Sequence, residues 1–129
     1  MFRFRPAPHV HETNMSSWRE AIRQWFAMMF GRTAVSDAVY TTAGDYRVAI
    51  TALTAPRTIT ISTRDITQVG TKGREFVFND ESGAAGTHTI TIATEASEKI
   101  DGSASSATIT TNYGSLRLYT NGVDLFTTE

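Results

Sequence analysis

The chain has 129 residues, a net charge of -1 and no cysteine. This length corresponds to one domain with an appendage, since domains typically span about 100–200 residues. A nearly neutral chain has no strong field to attract polyanions, so no nucleic-acid partner is expected. The absence of cysteine excludes disulfides, thiolate metal sites and cysteine nucleophiles.

Residues 1–14 are expected to form an extended arm. Pro6 and Pro8 exclude a helix there and favour extended conformations in the residues before them. The segment is either a loose tail or an arm that lies on a neighbouring subunit, with Phe2 and Phe4 as its anchors. It has no secretory-signal pattern, and the most apolar window, residues 25–30, is too short for a membrane span, which needs about 20 residues.

Residues 17–30 carry the one strong helix pattern. Ser17 and Glu20 have the spacing of a capping box, and Gly31 follows the last apolar residue, where helices commonly end. Steps of four and three residues place one set of apolar side chains on a common face. That face and its widened edge comprise Trp18, Ile22, Trp25, Phe26, Met29 and Phe30. The helix is expected to pack on its own domain, on copies of itself or on another protein.

From Thr33 onward the chain alternates apolar residues with threonine or charged residues, which is the period of a strand with one buried face. The clearest strands are residues 46–50, 58–62, 75–78, 87–92, 107–110 and 115–119. No helical period interrupts them, so a parallel sheet with helical crossovers is not expected. The pattern predicts a mainly β protein: an arm and single amphipathic helix (residues 1–32), then a threonine-rich antiparallel β-sandwich or β-prism-like domain (residues 33–129).

Two glycine-containing turns are the sharpest local features of this domain. The Asn121-Gly122 pair between alternating segments predicts a β-hairpin. At Asp101-Gly102 the glycine can adopt positive φ and the aspartate can bind nearby backbone, which predicts a tight turn. Tyr113 is expected to lay its ring across a strand end.

About half of the chain resembles a β module that recurs in tail fibres of tailed bacteriophages and archaeal viruses and in related virion proteins. The strongest matches are residues 100–104, 110–118 and 121–122, and further matches are residues 57–61, 73–80, 83–87 and 89–92. Leu125-Phe126 stand where the module often has Trp-Tyr, and residues 53–56 replace its Leu-Pro turn. The resemblance implies a β-structured, usually trimeric part of a virus particle.

Histidine and carboxylate patterns predict no active site, metal or cofactor. His9, His11 and Glu12 could approach one metal ion, but a His-x-His pair in a loose arm is not typical of a metal site. No Gly-x-Ser-x-Gly elbow and no phosphate-binding loop occur. The loop carboxylates are expected to be solvated turn residues: Asp80, Glu81, Glu95, Glu98 and Asp101.

Three functions agree with these patterns, and none of them is enzymatic. The first is a tail-associated appendage of a virion, of the fibre or spike type, with a role in host adsorption. The second is a head decoration, turret or vertex protein that the arm and helix attach to the capsid. The third is a carbohydrate-binding adhesin that stacks a host glycan on exposed aromatic rings. The candidate ligand-facing rings are Tyr40, Tyr46, Tyr113 and Tyr119.

We predict that Trp25→Ala prevents incorporation of the protein into particles while the β domain stays folded, because aromatic burial supplies roughly 25 cal/mol per Å². Particle-associated protein would be measured by immunoblot and folding by circular dichroism, with Arg23→Ala on the polar face as the control. Normal incorporation of Trp25→Ala would rule out a docking helix.

Overall fold

A computed structural model describes residues 18–22, 31–68 and 73–128. Residues 18–22 are helical, which confirms the predicted helix for that part of it. The other described elements are nine strands and one short helix. In chain order they are β1 (Arg32–Ser36), β2 (Tyr40–Thr41), β3 (Arg47–Ala52), β4 (Arg57–Ile61), α1 (Thr63–Thr67), β5 (Glu75–Asp80), β6 (Ile90–Thr94), β7 (Ser106–Ile109), β8 (Ser115–Thr120) and β9 (Leu125–Thr128).

The described strands form two sheets, which confirms a mainly β protein. Sheet A has the order β1-β3-β5-β8-β9, and sheet B has the order β2-β4-β6-β7. The first six strands alternate between the sheets, so the chain circulates around a shared core like a short solenoid. The last three strands close this path, β7 in sheet B and the β8–β9 pair in sheet A.

The prediction of antiparallel pairing is wrong for the first six strands. β1, β3 and β5 pair in parallel, and so do β2, β4 and β6. Parallel neighbours need a crossover connection, and here a strand in the opposite sheet provides it, with the short helix after β4 as an addition. Antiparallel pairing is confined to β5–β8, β8–β9 and β6–β7.

The core lies between the sheets as stacked rows of apolar side chains. In sheet A, Val48 lies opposite Phe78, which lies opposite Leu116 on β8. In sheet B, Ile59 lies opposite Ile92. Side chains of both sheets form a single buried cluster. Isoleucine suits these positions because its β-branched side chain favours extended backbone and fills the space between paired strands.

The helix α1 was not predicted, and the expectation of a single helix is wrong. Five residues are too few to display a helical period. The Ser62 hydroxyl caps it by accepting a hydrogen bond from the backbone N–H of Asp65 at 3.2 Å. Ile66 of this helix is fully buried, and its carbonyl accepts a hydrogen bond from the Thr120 hydroxyl at 2.8 Å. The helix α1 therefore contributes to the core.

Both predicted glycine turns are confirmed. β8 and β9 form an antiparallel hairpin, and the Asn121 side chain accepts hydrogen bonds from the backbone N–H groups of Val123 and Asp124. Asp101 and Gly102 both have positive φ, of 53° and 83°. The Asp101 carboxylate does not bind nearby backbone as expected. It accepts hydrogen bonds from the backbone N–H and hydroxyl of a residue on β9, Thr127.

Candidate functional site

The outer surface of sheet B is an array of small hydroxyl side chains. Alternation with the buried Ile59, Ile92 and Ile109 directs the intervening residues of these strands away from the core. They form two rows across the strands. We call this surface the threonine face: Thr58, Thr91 and Thr108 in one row, and Thr41, Thr60, Ala93 and Ser106 in the other.

The threonine face has no charged residue, whereas the outer surface of sheet A has several. In sheet A, Arg117 lies 4.0 Å from Glu75, and Arg47 donates a hydrogen bond to Asn79 at 2.5 Å. The threonine hydroxyls of the threonine face make no hydrogen bond to the part of the chain that the structure describes. The sequence showed the Thr-Ile alternation, but only strand register shows that the threonines of separate strands form one surface.

The four candidate tyrosines have different environments. Tyr40 is half-buried against the core, and its hydroxyl donates a hydrogen bond to Asp45 at 2.6 Å. Burial, followed by the hydrogen bond to Asp45, raises the pKa of Tyr40 to about 12. Tyr46 is also half-buried, and Tyr119 is paired with Phe126 at a ring-centroid distance of 5.5 Å. Tyr113 is 73% exposed, about twice the 38% of Tyr119.

The Tyr113 turn connects β7 to β8, and the buried Asp80 carboxylate binds its backbone. Tyr113 has φ of 61°, a left-handed conformation that is rare for a bulky residue. Its backbone N–H donates to Asp80 Oδ2 at 3.1 Å. The end of its ring lies directly on Gly83, where an added Cβ would be 2.4 Å from Tyr113 Cζ. The ring was expected to lie across a strand end. It instead packs on the loop that follows β5, and this contact fixes its position.

Asp80 is 2% exposed, so the prediction of a solvated turn residue is wrong for it. Besides Tyr113, its carboxylate accepts hydrogen bonds from the backbone N–H groups of Ser82, Gly83 and Ala85 and from the Ser82 hydroxyl. Burial, the largest influence, raises the pKa of Asp80, but these hydrogen bonds together outweigh it and lower the pKa below its usual value.

The use of acidic side chains to bind backbone is general in this protein. Glu98 is also buried, at 7% exposure, which contradicts its predicted solvation. Glu81, by contrast, is exposed and pairs with Arg32 at 2.6 Å. Eight acidic side chains accept a hydrogen bond from a backbone N–H: Asp37, Asp45, Asp65, Asp80, Glu95, Glu98, Asp101 and Asp124. These carboxylates therefore tie turns and strand ends together.

A second, half-buried polar cluster joins the two sheets near the start of the β domain. Asp45 accepts hydrogen bonds from the hydroxyls of Thr33 and Tyr40, and Arg74 donates to its backbone carbonyl. Arg74 also lies 4.4 Å from the centre of the Phe76 ring, a cation–π contact. Burial raises the pKa of Asp45, but the hydrogen bonds and Arg74 outweigh it and lower the pKa. No spacing in the sequence indicated this cluster.

The predicted docking residues are only partly described. Trp18 is half-buried, and Ile22 is 38% exposed. The other members of the predicted docking set lie outside the described residues: Phe2, Phe4, Trp25, Phe26, Met29 and Phe30.

Among the described residues, no group of three or more His, Asp or Glu side chains is placed to hold a metal ion. His88 is half-buried and precedes β6, whereas His9, His11 and Glu12 lie outside the described residues. Within the described part of the chain, no helix has the length and apolar character to cross a membrane.

No protein-family model matches the chain, and a search of curated proteins found no match.

We predict that the protein loses stability as pH falls from about 4 to about 2. The Thr54 hydroxyl and N–H, with Arg57, lower the pKa of Asp37 from its usual 3.8 to about 2. A lowered folded-state pKa contributes stability above the unfolded pKa, and that contribution disappears as pH falls through the folded value. Asp45 and Asp80, whose pKa values are also lowered, act in the same direction.

Thermal unfolding between pH 7 and pH 2 would measure this effect. Asp37→Asn removes one titrating group, so its melting temperature should fall less steeply with acid than that of the wild type. Thr108→Ser, which changes an exposed residue of β7 and alters no titrating group, serves as the control. A melting temperature that is constant from pH 4 to pH 2 would contradict the prediction.

Proposed function

We propose that this chain is a non-enzymatic structural protein of a virus particle, a tail-associated appendage of the fibre or spike type that contributes to host adsorption. The observation that carries the proposal is that most acidic side chains of the β domain accept hydrogen bonds from backbone N–H groups, which is a structural use of these carboxylates. Eight carboxylates, among them the buried Asp65, Asp80 and Glu98, bind N–H groups of turns and strand ends. The buried carboxylate of Asp80 accepts several hydrogen bonds and so holds the loop around it in one conformation, which suits a scaffold.

The resemblance to the virion β module supports the same proposal. Its matched segments lie between residues 57 and 122, and they contain all of β4 and β5, parts of β6 and β8, and the turn before β9. The turn matches include Asp101-Gly102 and Asn121-Gly122, and Gly102 and Gly122 have positive φ. Turn residues of this kind specify backbone shape, so the resemblance rests on fold-determining positions.

Self-association through the threonine face is part of the proposal, with a homotrimer as the assembly that the resemblance implies. Interface centres are depleted in charged residues, and the threonine face has none. In a trimer, residues close to the three-fold axis approach their own copies in the other two subunits, so an uncharged face avoids repulsion between identical charges there. Threonine is also stiff at χ1 because it is β-branched, which limits the entropy lost on packing.

The location is tested by separating particles of the virus that encodes this chain into tails and DNA-filled heads. An antibody raised against the β domain would be applied to both fractions. Detection in tails alone would agree with a tail appendage. Detection in heads alone would contradict it and favour a head decoration, turret or vertex protein. Absence from both fractions would exclude a virion structural role.

We predict that Thr91→Lys, at the centre of the threonine face, dissociates the assembly. A buried lysine charge without a partner is strongly unfavourable. Light scattering of the full chain should therefore give a trimer mass for the wild type and a lower mass for the variant. Ser115→Lys, on the exposed outer surface of sheet A, is the matched control and should keep the wild-type mass.

A Thr91→Lys variant with the wild-type mass would exclude the threonine face as the subunit contact. A monomeric wild-type protein would exclude self-association altogether. Far-UV circular dichroism would verify that both variants are folded.

A further inference from the structure

We propose that the Tyr113 turn is a carbohydrate-binding site, with the Tyr113 ring as a platform for a neutral sugar ring. The biological use of such a site rests on the proposed adsorption role, because an appendage on a particle meets host surface glycans first. Sugar binding itself is a property of the isolated protein and is measurable without the particle.

The first argument is that the exposed ring is held in place. Single exposed apolar residues are common on protein surfaces and need no explanation. Tyr113 differs because it is 73% exposed and yet fixed at three points. Its N–H is bound by Asp80, its ring end lies on Gly83, and the following Gly114 N–H donates to the Thr111 carbonyl at 2.9 Å.

The second argument is the choice of residue at a left-handed position. Only glycine, and occasionally asparagine or aspartate, adopts this conformation routinely. A tyrosine with φ of 61° is therefore less favourable for the backbone than the asparagine that precedes it in the chain would be. Backbone outliers at non-glycine residues concentrate at functional sites, and here the outlier presents an aromatic ring to solvent.

The third argument is the adjacent amide of Asn112. Its Oδ1 accepts a hydrogen bond from the backbone N–H of Gly86 at 2.8 Å, which orients the side chain. Its Nδ2 makes no hydrogen bond within the described part of the chain, and the residue is exposed. The turn therefore carries an oriented amide donor on the residue next to the exposed ring. A sugar needs both kinds of contact, a donor for its hydroxyl groups and an apolar surface for its C–H groups.

Preorganisation connects the three arguments. A rigid tyrosine supplies contact area at low entropic cost. A side chain that is already fixed before binding loses less conformational entropy when the ligand binds, which improves affinity. Loops held by a rigid scaffold are also the usual place for binding residues. Asp80 and Gly83 are positioning residues in this site: they hold the ring and do not contact the sugar.

The other tyrosines lack this combination. Tyr40 is half-buried with its hydroxyl on Asp45. Tyr119 is 38% exposed, and its ring is paired with Phe126. The sequence named four candidate rings, and the structure assigns the platform to Tyr113.

The test is affinity electrophoresis of the full chain in native gels that contain mannan, dextran or galactan. Wild-type protein should be retarded by at least one of the three. Tyr113→Asn removes the ring but tolerates the left-handed backbone, so it should fold and bind about tenfold more weakly, as expected for loss of a central aromatic contact. Tyr113→Phe should retain most of the retardation.

Tyr119→Ala is the matched control, since it removes an aromatic ring from another surface and should leave retardation unchanged. Thermal unfolding of each variant verifies the fold. The proposal is overturned if none of the three polysaccharides retards the wild type, or if Tyr113→Asn is retarded as strongly as the wild type. Either result leaves the particle fractionation unaffected, so failure of the sugar site and failure of the virion role are separable.

Discussion

The buried carboxylate of Asp80 is the constraint on which much of the β domain depends. It ends β5, the strand that pairs in parallel with β3 and antiparallel with β8. Its oxygens bind the loop after β5 on one side and the Tyr113 N–H before β8 on the other. The Asp80 N–H, in turn, donates to the Gly114 carbonyl at 2.9 Å. One side chain thus joins the solenoid-like half of the chain to the strands that close it.

The remaining architecture follows from alternation on two sheets. Isoleucine, valine and phenylalanine point inward and stack across strands, so one apolar cluster supports both sheets. Threonine fills the outward positions of sheet B, where its branched side chain favours extended backbone and its hydroxyl tolerates water. Sheet A instead presents charged side chains such as Arg117 and Glu75. The two outer surfaces therefore differ in chemistry, and the uncharged one is the surface that we propose for self-association.

The carboxylate hydrogen bonds that hold the turns rigid also underlie both proposed functions. Asp45 and Asp65 stabilise the corners near the start of the domain, and Asp101 binds the last strand. Asp80 holds the turn that presents Tyr113. A scaffold whose corners are tied in this way presents its surface residues in fixed positions, which suits both repeated assembly contacts and recognition of a rigid sugar ring.

Local features could be read from the residues alone. The period-two alternation predicted strands that overlap β3 to β8, and glycine with asparagine or aspartate predicted the turns at Asp101 and Asn121, because these signals arise from a residue and its immediate neighbours. The two-residue strand β2 and the one-turn α1 were not predicted, since they contain too few residues to establish a period. The strand β1 was not predicted because Val35 is its only large apolar residue, so its alternation is weak.

Strand direction, the burial of Asp80 and Glu98, and the joining of separate threonines into one face were decided only by tertiary structure. Alternation is the same for parallel and antiparallel strands, and a carboxylate in a loop is solvated or buried according to which strands and turns pack over that loop, as the Tyr113 turn does over Asp80. Both properties depend on contacts between residues far apart in the chain, and no local pattern encodes them.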